Sequence, residues 1–234
     1  MNRIELFEVV QATWPSADET RVGPWLIRDG QGGGKRVSAA RPMEAVQADD
    51  VATAVAEMKK CGQPALFSIR PEDGELDSIL AQMGYEIIDP SVLFAGPIFE
   101  AEVPPVTAFD IWPPLQIMKD IWAEGGINAD RLSVMDRVEG PKTSILGRIC
   151  DRAAGCAFVA MHGTTAMVHA VEVLPEYRRQ GLARSMMNAA ARWAKENGAH
   201  HFSLVTTEAN TAAQSLYSSL GMSAVGRYHY RMKP

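Results

Sequence analysis

The sequence predicts an α+β or mixed-sheet fold, and three observations carry that expectation. Strand-like and helix-like runs alternate along the chain, with helices between strands toward its end. The run 181–197 is amphipathic at helical spacing, placing Leu182, Met186, Ala189 and Trp193 on one face before Gly198 offers a left-handed stop. The stretch AGPIFEAEVPPVTAFDIWPP, residues 95–114, carries five prolines and little periodicity. Proline removes a backbone donor and restricts the residue before it, so this stretch reads as a linker or crossover. The expected organisation is an N-terminal α/β domain over 1–97, a Pro-rich linker over 98–113 and a second domain over 114–234.

Along the N-terminal part the pattern predicts a helix from Ile4 to Thr13, strand GPWLIRD, turn GQGGG and strand KRVSAARPM. A helix from Asp49 to Lys60 follows, then strand ALFSIRP, helix GELDSILAQ and strand EIIDPSVLFA. The glycine run fails as a phosphate loop, because Asp29 and Arg36 stand where that motif needs Gly and Ser or Thr. A flexible hairpin turn is expected there instead. The C-terminal part predicts helices PLQIMKDIWAEGG and NADRLSVMDRV and strands TSILGRICD, GCAFVAMHG and TAMVHAVEVL. Helix 181–197, strand HHFSLVTTE, helix 210–220 and strand AVGRYHYRM complete the chain. The two parts echo each other as helix, Gly, strand, helix, Gly, strand, with Gly62 to Gly84 spanning 22 residues and Gly198 to Gly221 spanning 23. Chance likeness of ordinary units and duplication of one fold both account for such an echo.

Composition bounds the function. Hydrophobic residues make up 47% and charged residues 22% of 234 residues, enough for a sizeable core. The net charge of −5 argues against nucleic acid as a partner. No run is apolar enough to span a membrane, and the N-terminus lacks the basic-then-apolar form of a secretory leader. Cys61, Cys150 and Cys156 form no CxxC pair and are expected to be buried thiols, so a cytoplasmic location is expected.

The stretch VLPEYRRQGLARSM raises a chemical question. A strand ends near Pro175, two arginines follow, and a helix opens at Gly181 with no Ser, Thr or Asp to cap it. Uncapped N–H groups at a helix start, aided by the helix dipole, favour an anion such as phosphate. Arg178, Arg179 and Arg184 add positive charge, and the small Gly181 and Ala183 let a ligand approach the backbone. An arginine-rich solvated turn is the plainer alternative.

This stretch resembles the signature of the GNAT superfamily of N-acetyltransferases, Arg/Gln-x-x-Gly-x-Gly/Ala opening a helix after a strand and a Pro-containing turn; here it reads Arg178-Arg179-Gln180-Gly181-Leu182-Ala183. A second family element, Asn-x-x-Ala-x-x-Leu-Tyr-x-x-Leu-Gly-Phe, is matched by Asn210, Ala213, Leu216, Tyr217, Leu220 and Gly221, with Met222 for the aromatic. The resemblance covers roughly residues 110–232. It implies a mixed, mostly antiparallel central sheet flanked by helices and acetyl-CoA as acyl donor, with no metal. It implies that the pyrophosphate sits on the N–H groups of Gln180 to Arg184, and that the backbone of Val171 and Val173 pairs with the pantetheine arm between splayed strands. Asn210 would reach or lie near that arm; a plain helix cap is the other reading, and both can hold. The N-terminal part more loosely resembles the front half of bacterial GNAT proteins with a GW-x-x-R…R-x-N-S pattern, here GPWLIRD…KRVSAA with the Asn replaced, while the internal echo, read as duplication, implies a degenerate GNAT-like copy.

Amide formation requires a neutral amine, a polarised thioester carbonyl and a proton for the leaving thiolate. In the family the tyrosine at Tyr217 donates to the departing sulfur and the N–H of Val173 polarises the carbonyl. For the base, Glu172 and His169 lie on the strand beside the acetyl group. Their odd separation is expected to put them on opposite faces, so that only one looks into the cleft. No cysteine is expected near the acetyl position, which favours direct transfer in a ternary complex over an acetyl-enzyme. The expected acceptor is a small-molecule amine or peptide N-terminus, with the acidic net charge inclining toward a cationic one. The N-terminal part is read as binding the acceptor or mediating a homodimer. A non-catalytic CoA or acyl-CoA sensor is the alternative, disfavoured by the intact Tyr217.

Overall fold

The N-terminal helix α1 (Arg3–Thr13) exists because Leu6, Phe7, Val9, Val10 and Thr13 recur at helical spacing and are all buried. The structure, a computed structural model, describes residues 3–100 and 102–234. Residues 1 and 2, and residue 101 of the expected linker, lie outside the described residues. A polar edge strand β1 (Asp18–Val22) and β2 (Trp25–Asp29) form a hairpin about Gly23. Then come α2 (Lys35–Ser38), β3 (Arg41–Pro42), α3 (Ala48–Lys60), β4 (Leu66–Ile69), α4 (Gly74–Gln82) and β5 (Glu86–Pro97). Helix α3 starts in a capping box between Gln47 and Asp50 and buries Val51, Ala54 and Met58.

The expected strand 35–43 is corrected: its first half is the short helix α2, and only Arg41–Pro42 pair as a strand. Packing overrides the local pattern. Val37 is fully buried among side chains that include Ile127 and Val134, and the Ser38 hydroxyl donates back to the Gly34 carbonyl at 3.1 Å. The strand Asp18–Val22 escaped the sequence reading because almost every residue in it is exposed, leaving no apolar alternation.

The expected linker 98–113 is likewise not all connection, since it holds strand β6 (Ala108–Ile111). Next come α5 (Gln116–Glu124), α6 (Ala129–Arg137), β7 (Lys142–Ile149), β8 (Arg152–His162) and β9 (Thr165–Val173). A 3-10 turn at Pro175–Tyr177 leads to α7 (Leu182–Glu196), β10 (His201–Thr207), α8 (Thr211–Ser219) and β11 (Ser223–Met232). Leu182, Met186, Ala189 and Trp193 of α7 are buried as their spacing predicts.

Strands β1, β2 and β3 form a small sheet. The other eight form one sheet in the order β4-β11-β5-β10-β9-β8-β7-β6, antiparallel throughout except for β9 beside β10. The two halves of the chain therefore share a sheet, and their echoing units interleave: β5 lies between β10 and β11, while β11 lies between β4 and β5. One face of this sheet packs on α7 through Met186, Ala189 and Ala190, and the other on α5 and α6 through Met118, Trp122 and Val134.

Leu93 of β5 is fully buried and pairs with Val205 of β10 and Gly226 of β11. Leu93→Ala should destabilise the protein by about 2–5 kcal/mol. Because β5 stitches the two halves, urea unfolding followed by tryptophan fluorescence and by far-UV circular dichroism should give one shared, lowered midpoint. Two separated transitions would contradict the interleaved sheet as a single folding unit.

Candidate active site

Backbone geometry at β9 makes the site. The parallel ladder between β9 and β10 runs from Thr165–His201 to Val168–Leu204 and stops, although β9 continues to Val173 and β10 to Thr207. Beyond that rung β10 keeps only β5 as a partner. The two strands splay, and a wedge opens between them. The local cause is a bulge, because Cys156 pairs with Glu172 and Phe158 with His169, so β9 carries one extra residue. Ala170 lies there at φ 51°, and its carbonyl accepts a 2.8 Å hydrogen bond from the Trp122 indole.

The bulge corrects the expectation that His169 and Glu172 face opposite sides. Each stands across the ladder from a residue of β8 on the same face, Phe158 and Cys156, so both look toward the α5–α6 layer. The extra residue reverses the parity that strict alternation would impose. At the open end, Leu174 N–H bonds to the Ala154 carbonyl around the Gly155–Val173 pair. That pattern marks a non-hydrogen-bonded pair, so the N–H and C=O of Val173 point away from β8 into the wedge. Val171 and Val173 pack toward α7.

Helix α7 opens at the mouth of the wedge. Gly181 caps it at φ 84° with no side-chain cap, and a Cβ there would meet nothing within 4 Å, so the left-handed backbone is what requires glycine. Leu182 is buried, whereas Arg178, Arg179, Gln180 and Arg184 are exposed and Ala183 is half-buried. Arg178 turns back over the end of β9, its Nε donating to the Val173 carbonyl at 2.9 Å and its Nη2 to Glu172 at 3.1 Å. Arg184 donates to the Ser219 hydroxyl on α8 at 2.5 Å, and the Gln180 amide to the Glu176 carbonyl at 3.1 Å. Among the three arginines, Arg178 and Arg184 thus brace the loop.

Tyr217 lies on the α7 side of the sheet, 6% exposed, edge-on to Phe94 with ring centroids 5.8 Å apart. Phe94 pairs with Leu204, the last rung of the parallel ladder, so the phenol stands at the depth where the wedge begins. Burial pushes its pKa up to about 12, which keeps the proton on the oxygen at neutral pH. Asn210 is exposed and caps α8, its Oδ1 accepting from Ala213 N–H at 3.1 Å.

On the opposite face a cleft of about 500 Å³ is lined by His169, Ala170 and Thr207 together with Trp14, Arg36 and Tyr228 from the two ends of the chain. His169 is 4% exposed and lies against the Trp14 ring at 4.9 Å. The Thr13 hydroxyl donates to the Val9 carbonyl at 2.7 Å, so at 2.8 Å from His169 it accepts from Nε2–H. Arg36 has only donors, and its Nη1 lies 3.1 Å from Nδ1, which therefore accepts. Both nitrogens are committed. Burial, and then the Arg36 charge, hold the imidazole well below its ordinary pKa of 6.5, so it is neutral. Glu172 shares the face but lies outside the cleft. It bonds Arg178 and packs so tightly under Gly125 that a Cβ there would come within 2.6 Å of its carboxyl.

Cys156 is buried as expected, but Cys61 and Cys150 are exposed, which corrects the reading of three buried thiols. Cys156 stands across the ladder from Glu172, and burial first, then that charge, push its thiol up and away from the thiolate form. The sequence reading missed Trp14, Arg36, Tyr228 and Tyr230 at the cleft. Among the described residues no group of three or more His, Cys, Asp or Glu is placed to hold a metal ion, and no helix is long and apolar enough to cross a membrane.

Comparison with known proteins agrees with this geometry. The acetyltransferase (GNAT) family model matches residues 117–222. A relative from Bacillus subtilis (strain 168), the "Uncharacterized N-acetyltransferase YobR", is 26% identical over 242 residues and covers 95% of each chain. The structure of a GCN5-related N-acetyltransferase from Kribbella flavida superposes with a TM-score of 0.71 at 19% identity, covering 100% of this chain and 96% of that one. A tandem GNAT protein from the clavulanic acid biosynthesis pathway gives a TM-score of 0.57 at 15% identity, covering 82% of this chain and 74% of the other. The splayed strands and the uncapped helix lie inside the matched span, so residues 117–222 are similar to the acetyltransferase (GNAT) family in sequence and the whole chain is similar to GNAT proteins in fold.

Proposed function

We propose that the protein is a cytoplasmic N-acetyltransferase that moves the acetyl group of acetyl-CoA to an amine by direct transfer in a ternary complex. The observation that carries this reading is the wedge between β9 and β10 with the uncapped start of α7 at its mouth. The fit is chemical: an extended pantetheine arm needs strand-like backbone partners, which Val173 offers, and a pyrophosphate needs unpaired N–H groups, which α7 offers. Acetyl-CoA bound there supplies an activated acyl carbon. The N–H of Val173 polarises the carbonyl, and the neutral Tyr217 phenol donates its proton to the departing sulfur. With the Nδ1 lone pair of His169 held by Arg36, the amine proton passes through water to Glu172 on the same sheet face. His169 positions Arg36 and the cleft wall. The tandem GNAT neighbour and the interleaved strands support reading residues 1–97 as a degenerate GNAT-like copy that completes the acceptor cleft. The engaged lone pair of His169 favours a second reading, a CoA-binding sensor without turnover, and thiol release from acetyl-CoA across a panel of amines separates the two.

Three variants test the roles. Tyr217→Phe keeps the ring and its packing on Phe94, so kcat should fall about 10- to 10³-fold with the KM for acetyl-CoA nearly constant. An unchanged kcat would make Tyr217 a packing residue and favour the sensor. Gly181→Glu brings negative charge to the start of α7 and a left-handed strain of about 1–2 kcal/mol. Calorimetry should then show weakened acetyl-CoA binding in a protein that still melts cooperatively; unchanged affinity would place the cofactor elsewhere.

His169 gives a pH signature. Its folded pKa is depressed, so as pH falls through 6.5 the unfolded chain takes up a proton that the folded chain refuses. That contribution to stability is present above pH 6.5 and declines below it. Urea midpoints of the wild type between pH 7 and 5 should therefore fall more steeply than those of His169→Gln, whose amide offers a donor and an acceptor but does not titrate. Equal slopes would remove His169 from the buried, neutral role.

A further inference from the structure

The cleft beside the wedge carries more positive charge than its own residues neutralise. Lys35 is paired with Asp89 at 2.5 Å across the cleft wall, which cancels both. Arg36 and Arg131 also line the cleft, and among the described residues neither forms an ion pair. The Arg131 guanidinium lies over Gly34, where a Cβ would approach its Nε to 3.2 Å. Arg36 donates to the neutral His169 and reaches the phenols of Tyr228 and Tyr230, while its buried Nε has no acceptor.

Among the described residues no carboxylate is paired with Arg36, and the phenols of Tyr228 and Tyr230 are what favour its charge. Arg36 shares the wall of a second, small pocket of about 20 Å³ with Arg28, Arg41 and Arg70, so three further cations stand near it. Arg28 spends its Nε on the Ala39 carbonyl at 2.9 Å, and the buried Nε groups of Arg41 and Arg70 have no acceptor. Glu72 and Asp73 act on Arg70, which does not line the cleft, and Glu19 acts on Arg28. A buried cation without a counter-charge is costly, and like charges nearby raise that cost. Arg36 also lines the cleft.

We propose that this face recognises an anionic group on the acceptor itself: the acceptor amine also carries a carboxylate, the chemical class of an amino acid. A guanidinium fork suits a planar carboxylate, and Arg36 lines the cleft together with Arg131 and the two tyrosines, whose phenol hydroxyls can join it. Lys35, neutralised by Asp89, adds little. This reverses the inclination toward a cationic acceptor drawn from the net charge, because the local field at the cleft is opposite in sign to the whole molecule. The proposal rests on the acetyltransferase reading for the word acceptor, but the binding it describes does not require turnover.

The test measures binding first. Calorimetric titrations of the full chain saturated with CoA would compare amino acids of differing amine-to-carboxylate spacing with their carboxamides, which keep the shape and lose the charge. At least one carboxylate should bind about 10- to 100-fold more tightly than its carboxamide, the range of a charge-assisted contact. Arg36→Gln and Arg131→Gln should each shrink that ratio, and Arg36→Lys should restore part of it. Thermal melting of each variant checks that it folds, and Arg131→Gln, on the cleft rim, keeps the test decisive if Arg36→Gln does not. Equal binding of carboxylate and carboxamide, or a ratio unmoved in both glutamine variants, overturns the proposal. Stabilisation by chloride or acetate alone, equal to that by any amino acid, assigns the cluster to a free ion and also overturns it. Carboxylate-selective binding without thiol release would sink the acetyl-transfer reading and leave this one standing, whereas thiol release with no carboxylate preference would do the reverse.

Discussion

The carbonyl of Ala170, turned out of the ladder and held by the Trp122 indole, is the constraint on which the rest of the site depends. A buried carbonyl without a donor is expensive, so the indole makes the bulge tolerable and fixes where it lies. Once β9 gains that extra residue, it cannot remain in register with both β8 and β10. It stays with β8, and the parallel ladder to β10 ends at Val168–Leu204. The wedge, the outward-pointing groups of Val173 and the shared face of His169 and Glu172 all follow from that choice. Trp122 is itself fully buried on α5, so the packing of that helix sets the geometry of a strand whose open end is chemically exposed.

The interleaved strands make the N-terminal half part of the site rather than an appendage. Phe94, which packs on Tyr217, comes from β5, and Thr13, Trp14 and Arg36 around His169 come from α1 and the segments after it. Tyr228 and Tyr230 come from β11, whose place beside β5 exists only because the two echoing units exchange their second strands. A chain cut at the Pro-rich segment would lose a strand from the middle of the sheet. That segment also contributes β6 at the far edge, so its prolines border structure without replacing it.

What the sequence disclosed was local. The start of α7, the cap at Asn210 and the apolar face from Leu182 to Trp193 depend on residues a few positions apart, and spacing reveals them. The mixed, mostly antiparallel sheet followed from the family resemblance. What it hid was non-local. Parity along β9 failed because a bulge is decided by a partner strand and by an indole 48 positions away, not by the residues of β9. The segment 35–43 failed because burial of Val37 under α6 outweighs a weak strand pattern. Arg36, Tyr228 and Tyr230 carry no motif, and their juxtaposition arises only when β11 slides in beside β5.

The two faces of the sheet divide the chemistry. Tyr217 and the start of α7 belong to one side, within a cluster of Met186, Phe94 and Leu204, while His169, Trp14 and the arginine-lined cleft belong to the other. In the proposed reaction, a continuous sheet between them would keep a thiol-bearing donor and an amine apart. The splay beyond Val168–Leu204 is the gap through which they can meet, and its position fixes how deep each must reach. In the proposed reaction, a neutral buried phenol suits the donor side, where negative charge would develop on a departing sulfur. On the proposed acceptor side the neutral, doubly bonded imidazole serves a different end: it holds Arg36 in place without adding a further positive charge to a wall that already carries Arg36 and Arg131. Protonating His169 would set two cations 3.1 Å apart and sacrifice the acceptor at Nδ1, so the charge of the cleft and the protonation state of its histidine are one arrangement, fixed together by burial.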